Sequence, residues 1–409
     1  MNTYRTWLGR CAVAILAVAL MVLIRKYVYP LFGEEKLTLR MVCAAVTSFL
    51  VVALLSPRTI RFLIRKKLGD RAEFDHAALN ELTRHKSATP TMGGMLIVLA
   101  IMVATYLFAD LSSMYVRMSF MVMVWLGLLG GVDDWLKLRA TRTRALAAPG
   151  EDVPSGRDGL KSYQKILFQI ALAVLLASFI YRHGSRSDYT DFDDRRINAV
   201  RHFYFPFKAQ PVPLPLYAFV IATVLVMVGS SNAVNLTDGM DGLATGCMII
   251  VTVVFLLLAW VAGVQAWANQ FHLPFVPQSA QLTVLCAAMI GSCLGFLWYN
   301  CLPAQVFMGD TGSLPLGGLI GYIAVVTRQE LMLFIAGGVF VMEALSVIMQ
   351  VLYFKGTGGK LNNGRRLFRI APIHFHFHLL GWAEAKVVVR FWLLGVIFAA
   401  MALATLTLR

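Results

Sequence analysis

The chain carries little charge for its length. Asp, Glu, Lys and Arg make up 14% of its 409 residues, whereas soluble domains average about 25%. So few charged side chains cannot cover a globule of this size, which excludes an ordinary soluble domain. The hydrophobic fraction of 58% and the mean hydropathy of +0.68 indicate a polytopic membrane protein instead.

Several sequence patterns are missing. The six cysteines are scattered without any CxxC pair, so neither a zinc site nor a disulfide framework is supported. The phosphate-binding pattern G-x-x-x-x-G-K-[ST] does not occur. The net charge of +15 comes without a base-stacking module, so we expect no nucleic acid partner. Anionic membrane lipids and an anionic substrate fit this charge better.

Long apolar segments predict the fold class. A membrane-spanning helix needs about 20 apolar residues, and a chain in lipid must satisfy its own backbone hydrogen bonds. We therefore predict an all-α integral membrane protein with about ten transmembrane helices. The predicted spans cover residues 39–55, 92–109, 117–132, 166–181, 216–232, 243–263, 282–299, 314–327, 332–354 and 387–407.

Two regions lie outside this ten-helix domain of residues 37–409. Residues 1–36 form an N-terminal extension, in which the fourteen apolar residues Cys11–Ile24 suit either a short span or an interfacial helix. Arg25 and Lys26 follow where a signal peptide would have small residues, so we expect a retained extra helix. Residues 140–159 are polar and rich in Arg, Gly and Pro, which predicts a mobile loop insertion.

Basic loops orient the chain. Eight basic residues lie between Arg58 and Lys86, seven between Lys137 and Lys165, and seven between Lys355 and Arg390. Loops rich in Lys and Arg stay in the cytoplasm. The Arg182–Lys208 loop opposes this with six basic residues on the other side, but three loops agree.

Five polar islands interrupt the apolar segments, and the predicted crossings place all five on the cytoplasmic side. Polar and ionisable groups at membrane depth are functional candidates by default, so the islands predict one active site at a membrane–water boundary. They are His85–Gly94, Asp133–Lys137, Asn232–Gly242, Asn300–Ser313 and Ala371–His378.

Three aspartates are the strongest candidates. Asp133 and Asp134 are adjacent at a predicted helix end, where a divalent cation would relieve their repulsion, and Lys137 lies one turn further on. Alternatively, they merely end the span. Asp310 precedes a helix expected to open near Leu314. It suits either a helix cap or a Mg²⁺ ligand beside an anion-attracting helix terminus.

The other islands supply polar contacts. Four amide and carboxylate side chains crowd into Asn232–Gly242, more than a turn and a helix cap use, which suits recognition of a base or ribose. Lys86 adds an ammonium and Thr91 a hydroxyl. His374, His376 and His378 would share one face of an extended segment and could bind zinc, although contact with a phosphate or a general-base role suits them better.

Two further groups of acids have simpler interpretations. Glu343 lies within a predicted span, where we expect a hydrogen bond to a neighbouring helix. The aspartates of Asp188–Asp194 are expected to be solvated in an outer loop.

Six segments resemble one known family. HKSATPTMGG, DDWLK, NAVNLTDGMDG, WYNCLPAQVFMGDTGSL, FRIAPIHFHFHLLGW and VVVRFW are similar to the signature segments of phospho-N-acetylmuramoyl-pentapeptide transferase, from about Leu37 to Arg409. The resemblance implies ten transmembrane helices in the bacterial inner membrane and a homodimer. It also implies Mg²⁺-dependent transfer of phospho-MurNAc-pentapeptide from UDP-MurNAc-pentapeptide to undecaprenyl phosphate, giving lipid I and UMP on the cytoplasmic face.

The resemblance also implies residue roles. Catalytic positions would be Asp133, Asp134, Asp310 and His374, with Asp310 the Mg²⁺ ligand. Substrate-binding positions would be Lys86, Thr91, Lys137, Lys165, Asn235, Asp238, Asp241, Asn300, Phe307 and His376.

One motif departs from the family pattern. Where the family has three consecutive histidines, an aromatic residue and Glu, this chain has His374-Phe375-His376-Phe377-His378. The departure keeps open a related activity, transfer of GlcNAc-1-phosphate to a polyprenyl phosphate. A secondary transporter fits less well, because transporters carry internal repeats and a midplane site. The sequence does not distinguish direct attack by the lipid phosphate from a covalent phospho-aspartate route.

Overall fold

The computed structural model describes residues 16, 19–33, 36–65, 86, 89–146, 159–192, 195–208, 210–359 and 364–407. Fourteen α-helices lie within them. They are α1 (19–32), α2 (Leu37–Arg65), α3 (Gly94–Phe108), α4 (Met114–Leu146), α5 (Ser162–Ser187), α6 (Leu216–Thr237), α7 (Leu243–Gly263), α8 (Gln265–Gln270), α9 (Leu282–Asn300), α10 (Asp310–Val326), α11 (Glu330–Ala336), α12 (Gly338–Gly356), α13 (Ile373–Leu379) and α14 (Glu384–Ala404).

The strands of the described residues are confined to the α5–α6 connection. β1 (Tyr189–Phe192) pairs antiparallel with β2 (Arg195–Asn198), and β3 (His202–Phe203) with β4 (Val212–Pro213). The all-α prediction is therefore confirmed, with two short hairpins added.

The predicted spans correspond to helices. Among the described residues, eight helices are long and apolar enough to cross a membrane, and Gly94–Phe108 and Asp310–Val326 are shorter apolar helices. Together they match the ten predicted segments. One segment differs, because 332–354 breaks at Gly337 into α11 and α12.

α10 is the central helix of the bundle. All seventeen of its residues are buried, so it needs no lipid-facing stripe. Glycines allow its first turn to touch two neighbours: a Cβ on Gly94 of α3 would lie 2.3 Å from the Gly312 Cα, and one on Gly130 of α4 would lie 2.2 Å from the Asp310 carbonyl oxygen. The sequence thereby fixes Asp310 against α3 and α4.

One expectation about loops is wrong and one stays a prediction. Residues 140–146 continue α4 as helix, because no helix breaker occurs before Pro149, and residues 147–158 lie outside the described residues, so the mobile insertion stays a prediction. Asp188 is fully buried rather than solvated, because it accepts a hydrogen bond from the Tyr115 hydroxyl.

The N-terminal extension is described only in part. Residues 19–32 are helical as expected, and Tyr29 and Phe32 contact Arg40 and Phe108. Most of Cys11–Val18 lies outside the described residues, so a membrane crossing there stays a prediction.

Candidate active site

Asp133, Asp134 and Asp310 meet at one end of the bundle. The first two lie on α4, and Asp310 opens α10. All three are buried, and each offers a carboxylate oxygen within 4.8 Å of the others. Three carboxylates this close repel one another strongly unless cations lie between them.

Two lysines supply that positive charge. The Lys137 Nζ lies 2.7 Å from the Asp133 Oδ2, 3.3 Å from the Asp310 Oδ2 and 3.9 Å from the Asp134 Oδ1. Lys165, from α5, contacts the same Oδ2 atoms of Asp133 and Asp310, each at 2.8 Å. The two ammonium groups thus lie among three carboxylates that could also hold a metal ion.

Asp134 has a separate task. Its carboxylate accepts hydrogen bonds from the backbone N–H groups of Asp310 (3.2 Å) and Thr311 (2.9 Å) and from the Thr311 hydroxyl (2.6 Å). The two N–H groups are unpaired donors of the α10 N-terminus, so Asp134 caps that helix from another element. It holds Asp310 in place more than it offers a free ligand atom.

The last turn of α6, which contains Asn235, and the turn after it, which contains Asp238, complete the Asp310 environment. The Asn235 side-chain amide donates to the Asp310 Oδ1 at 2.8 Å and to the Ser313 hydroxyl at 2.9 Å, which fixes the Asp310 rotamer. Desolvation, followed by the neighbouring Asp310 carboxylate, raises the pKa of Asp238 well above its usual value. Asp238 therefore keeps its proton to higher pH than an ordinary aspartate and can donate a hydrogen bond.

A second cluster joins the His85–Gly94 and Asn232–Gly242 islands to α14, the helix that follows the Ala371–His378 island. The Lys86 ammonium contacts the Asp241 Oδ1 at 2.6 Å and also the carboxylate of Glu384, the first residue of α14. The Asp241 backbone N–H donates to the Glu384 Oε1 at 3.0 Å. Sequence reasoning missed Glu384, although an acid in the first turn of a helix after a polar island was a usable signal.

Asn300, Phe307 and Thr91 join neighbouring segments. The Asn300 Oδ1 accepts from the Gly242 N–H (3.2 Å) and the Thr245 hydroxyl (3.0 Å), and its amide donates to the Val306 carbonyl (3.0 Å). The Phe307 backbone N–H donates to the Pro90 carbonyl at 2.8 Å, beside the buried Thr91.

The histidines do not form one extended row. They lie on α13, where residues two apart point about 200° apart. His374 is fully buried and its Nδ1 lies 3.0 Å from the Glu343 Oε2. The His376 Nδ1 accepts from the Arg369 N–H at 3.2 Å, and the His378 Nδ1 lies 2.9 Å from the Trp382 carbonyl. Three different partners contradict a shared zinc site.

The predicted site residues therefore form two clusters and several supports. The acidic cluster contains Asp133, Asp134, Lys137, Lys165, Asn235 and Asp310. The nucleotide-side cluster, named for its expected ligand, contains Lys86, Asp241 and Glu384, with Asn300 bracing it. Asp238 lies in sequence between Asn235 of the acidic cluster and Asp241 of the nucleotide-side cluster. His376 belongs to neither cluster and contacts the Phe368–Arg369 segment.

Comparisons with known proteins agree with this geometry. The family model described as glycosyl transferase family 4 matches residues 116–328, a range that includes Asp133, Asp134 and Asp310. The chain is thus a membrane-embedded transferase of the glycosyl transferase family 4 class.

Individual relatives narrow the class. Phospho-N-acetylmuramoyl-pentapeptide-transferase of Desulfotalea psychrophila is 41% identical over 91% of this chain and 94% of its own length. The proteins of that name from Oleidesulfovibrio alaskensis and Desulfosudis oleivorans are 39% and 40% identical, over 94% and 92% of this chain and 99% and 95% of their own lengths. The chain belongs to the phospho-N-acetylmuramoyl-pentapeptide transferase family, and it is an enzyme.

Proposed function

We propose that this enzyme transfers phospho-MurNAc-pentapeptide from UDP-MurNAc-pentapeptide to undecaprenyl phosphate, with Mg²⁺, at the cytoplasmic face of the bacterial inner membrane. The observation that carries the proposal is the acidic cluster at the N-terminus of the central helix. Phosphoryl transfer depends on positioning and charge stabilisation, and this cluster joins three carboxylates to two ammonium groups at one point. The basic loops beside it in sequence favour the cytoplasmic side.

The residues present suit a magnesium ion. Mg²⁺ prefers carboxylate oxygens and usually takes only one or two of them beside substrate phosphates. Asp310 is the candidate ligand, as the family resemblance implies, whereas Asp134 already accepts three hydrogen bonds from the first turn of α10. The Lys137 ammonium, within 3.9 Å of all three acids, marks a place where positive charge is stable. When bound, the ion would neutralise the diphosphate of the nucleotide substrate.

The hydrogen bonds favour direct attack by the lipid phosphate. A nucleophilic carboxylate needs an accessible oxygen. The Asp133 Oδ1 accepts from the Leu160 N–H at 2.7 Å, and its Oδ2 contacts both lysines. With both oxygens engaged, Asp133 is better suited to orienting the acceptor phosphate or taking its proton than to forming a phospho-aspartate. Lys137 and Lys165 would hold phosphate oxygens in line.

The nucleotide-side cluster would bind the uridine half of the donor. Lys86, Asp241 and Glu384 combine one cation with two carboxylates, so they can accept from and donate to a base or ribose. Asp238 lies next to them in sequence and offers a further donor. In this proposal the diphosphate of the donor lies near Asp310.

UMP release tests the proposal. Purified enzyme would receive undecaprenyl phosphate, Mg²⁺ and either UDP-MurNAc-pentapeptide or UDP-GlcNAc, with Asp310→Asn as the inactive control. We expect UMP only from the muramoyl substrate. Release from UDP-GlcNAc instead would assign the chain to GlcNAc-1-phosphate transfer and point to the Phe375 departure. UMP exchange into the nucleotide substrate without lipid would contradict direct attack.

A further inference from the structure

Glu343 is a buried acid on the inner face of α12, a helix whose other face is exposed. On α12, Leu345, Ile348 and Leu352 are 43%, 51% and 65% exposed, whereas Glu343 is 0% exposed. A carboxylate in such a place is costly unless a specific partner offsets its desolvation. Its partner therefore indicates why the acid is there.

The partner is His374 on α13. The Glu343 Oε2 lies 3.0 Å from the His374 Nδ1, and both side chains are fully buried. An ionised carboxylate can only accept hydrogen bonds, so the Nδ1 must carry the proton. In a neutral imidazole this leaves the Nε2 as an acceptor. Glu343 thus selects one tautomer of His374 and fixes its ring orientation.

The Nε2 faces the turn between the two site clusters. Within the described residues it is a buried nitrogen without a hydrogen-bond partner. A Cβ on Gly239 would lie 2.4 Å from it, and Gly239 separates Asp238 from the Met240–Asp241 end of the turn. A buried acceptor without a partner costs about 1–3 kcal/mol. That cost is offset when a ligand supplies the donor.

We propose that Glu343 is a positioning residue: it holds His374 with its Nε2 toward the Asp238–Gly242 turn, where it accepts a hydrogen bond from a hydroxyl or N–H group of the nucleotide-sugar substrate. This inference rests on the proposed function. A carboxylate that orients a histidine is a common device in catalytic sites. The expected hydrogen bond of Glu343 to a neighbouring helix is confirmed, but the sequence does not indicate its partner, which is 31 positions away.

A purely structural role makes different predictions. If the pair only joins α12 to α13, its loss lowers stability while the activity of the folded protein is retained. If Glu343 acts through His374, its loss lowers activity, and the loss disappears when His374 is already absent. The two roles therefore separate in a double-mutant cycle.

The kinetic test measures kcat/KM for UMP release in Glu343→Gln, Glu343→Asp, His374→Ala and the Glu343→Gln/His374→Ala double variant. Glutamine can present its N–H₂ to the Nδ1 and reverse the tautomer. We expect Glu343→Gln to lose about 10²-fold, with partial recovery in Glu343→Asp. The double variant should match His374→Ala within about two-fold.

A matched control comes from another buried acid. Glu330, on α11, pairs with Arg328 at 3.7 Å, away from both site clusters. Glu330→Gln removes the same charge and should keep kcat/KM within about two-fold. Wild-type kcat/KM in Glu343→Gln, or losses that simply add in the double variant, would overturn the inference.

A spectroscopic readout keeps the test independent of activity. ¹⁵N labelling of the eight histidines, with His374 assigned by its absence in His374→Ala, reports which ring nitrogen is protonated. We expect Nδ1–H in the wild type and a changed state in Glu343→Gln. A wild-type His374 protonated on Nε2 alone would contradict the proposal even if no substrate is turned over. An inactive wild type with the expected tautomer would count against the proposed function instead.

Discussion

The two ends of α10 both bury charge, yet they use it differently. At the N-terminal end, Asp310 shares two lysines with Asp133 and faces several islands. Beyond the C-terminal end, buried Arg328 lies 4.6 Å from the centre of the Phe219 ring and 3.7 Å from Glu330. Buried charge alone therefore does not mark an active site. An active site is indicated when carboxylates from distant segments lie close together, because their mutual repulsion does not stabilise the fold.

Buried polar groups near the C-terminal end of α10 form hydrogen bonds that join neighbouring elements. The Tyr115 hydroxyl donates to Asp188, the Tyr322 hydroxyl donates to the Tyr115 carbonyl at 2.6 Å, and the Asn198 amide donates to the Gly184 carbonyl at 2.8 Å. These bonds join α4 to α10 and to the end of α5, and α5 to β2. We interpret this end as structural, and the following changes separate it from the acidic cluster.

Asp310→Asn should produce the largest effect. The amide keeps the shape of the side chain but loses its charge toward Lys137, Lys165 and the expected cation. We expect UMP release to fall by about 10³-fold or more, as for removal of a main charge-stabilising group. Thermal unfolding should move modestly downward, because Lys137 and Lys165 each lose a partner, an effect that relief of the repulsion with Asp134 offsets only in part. Retention of a tenth of the activity would contradict the assignment.

Arg328→Met should have the opposite profile. The change leaves Glu330 buried without its cation, which should cost about 3 kcal/mol of unfolding free energy. UMP release per folded molecule should stay within about two-fold of wild type, since the site clusters are untouched. Chemical or thermal unfolding in detergent gives the first quantity and the assay the second. Selective loss of turnover would show that the two ends are coupled.

Gly130→Ala and Gly127→Ala form a matched pair one turn apart on α4. A Cβ at position 130 would lie 2.2 Å from the Asp310 carbonyl oxygen, whereas at position 127 the nearest atom, on Val98, is 3.7 Å away. The first change should cost about 1–3 kcal/mol through overpacking and displace Asp310. The second should be tolerated in both stability and activity. Equal stability and equal activity in the two variants would mean that the contact between α4 and α10 does not position Asp310.

Thr311→Val should have the smallest effect. It removes the 2.6 Å hydroxyl bond to Asp134 but leaves both backbone donors of the cap. We expect a loss of unfolding free energy of at most about 1 kcal/mol, since both backbone donors still hold Asp134, with turnover reduced only modestly. A parallel loss of stability and of activity would support Asp134 as the cap that holds Asp310.

Much of the fold could be predicted because lipid imposes it. Ten apolar segments of spanning length were visible, and the helices match them, since no other backbone state satisfies its own hydrogen bonds there. The polar islands indicated where the site residues would gather. The helical state of His374–His378 was missed, because alternating histidines resemble a strand pattern, whereas Pro372 is in fact the N-cap of a helix that begins at Ile373.

Pairings between distant residues could not be predicted. The contacts of Glu343 with His374, of Glu384 with Lys86 and of Asp188 with Tyr115 depend on tertiary packing and leave no local pattern. The residue roles implied by the family resemblance, and the division at residues 36 and 37, stay predictions.

Direct binding of a divalent cation tests the central claim that the acidic cluster, not the Arg328 end, carries the chemistry. Mn²⁺ can replace Mg²⁺ at oxygen ligands, and its paramagnetic resonance signal reports the bound fraction. Wild-type enzyme, Asp310→Asn and Glu330→Gln would be titrated side by side in the same detergent. We expect Mn²⁺ to bind to the wild type and to Glu330→Gln, and this binding to be lost in Asp310→Asn. Equal binding in all three, or loss only in Glu330→Gln, would contradict the central claim.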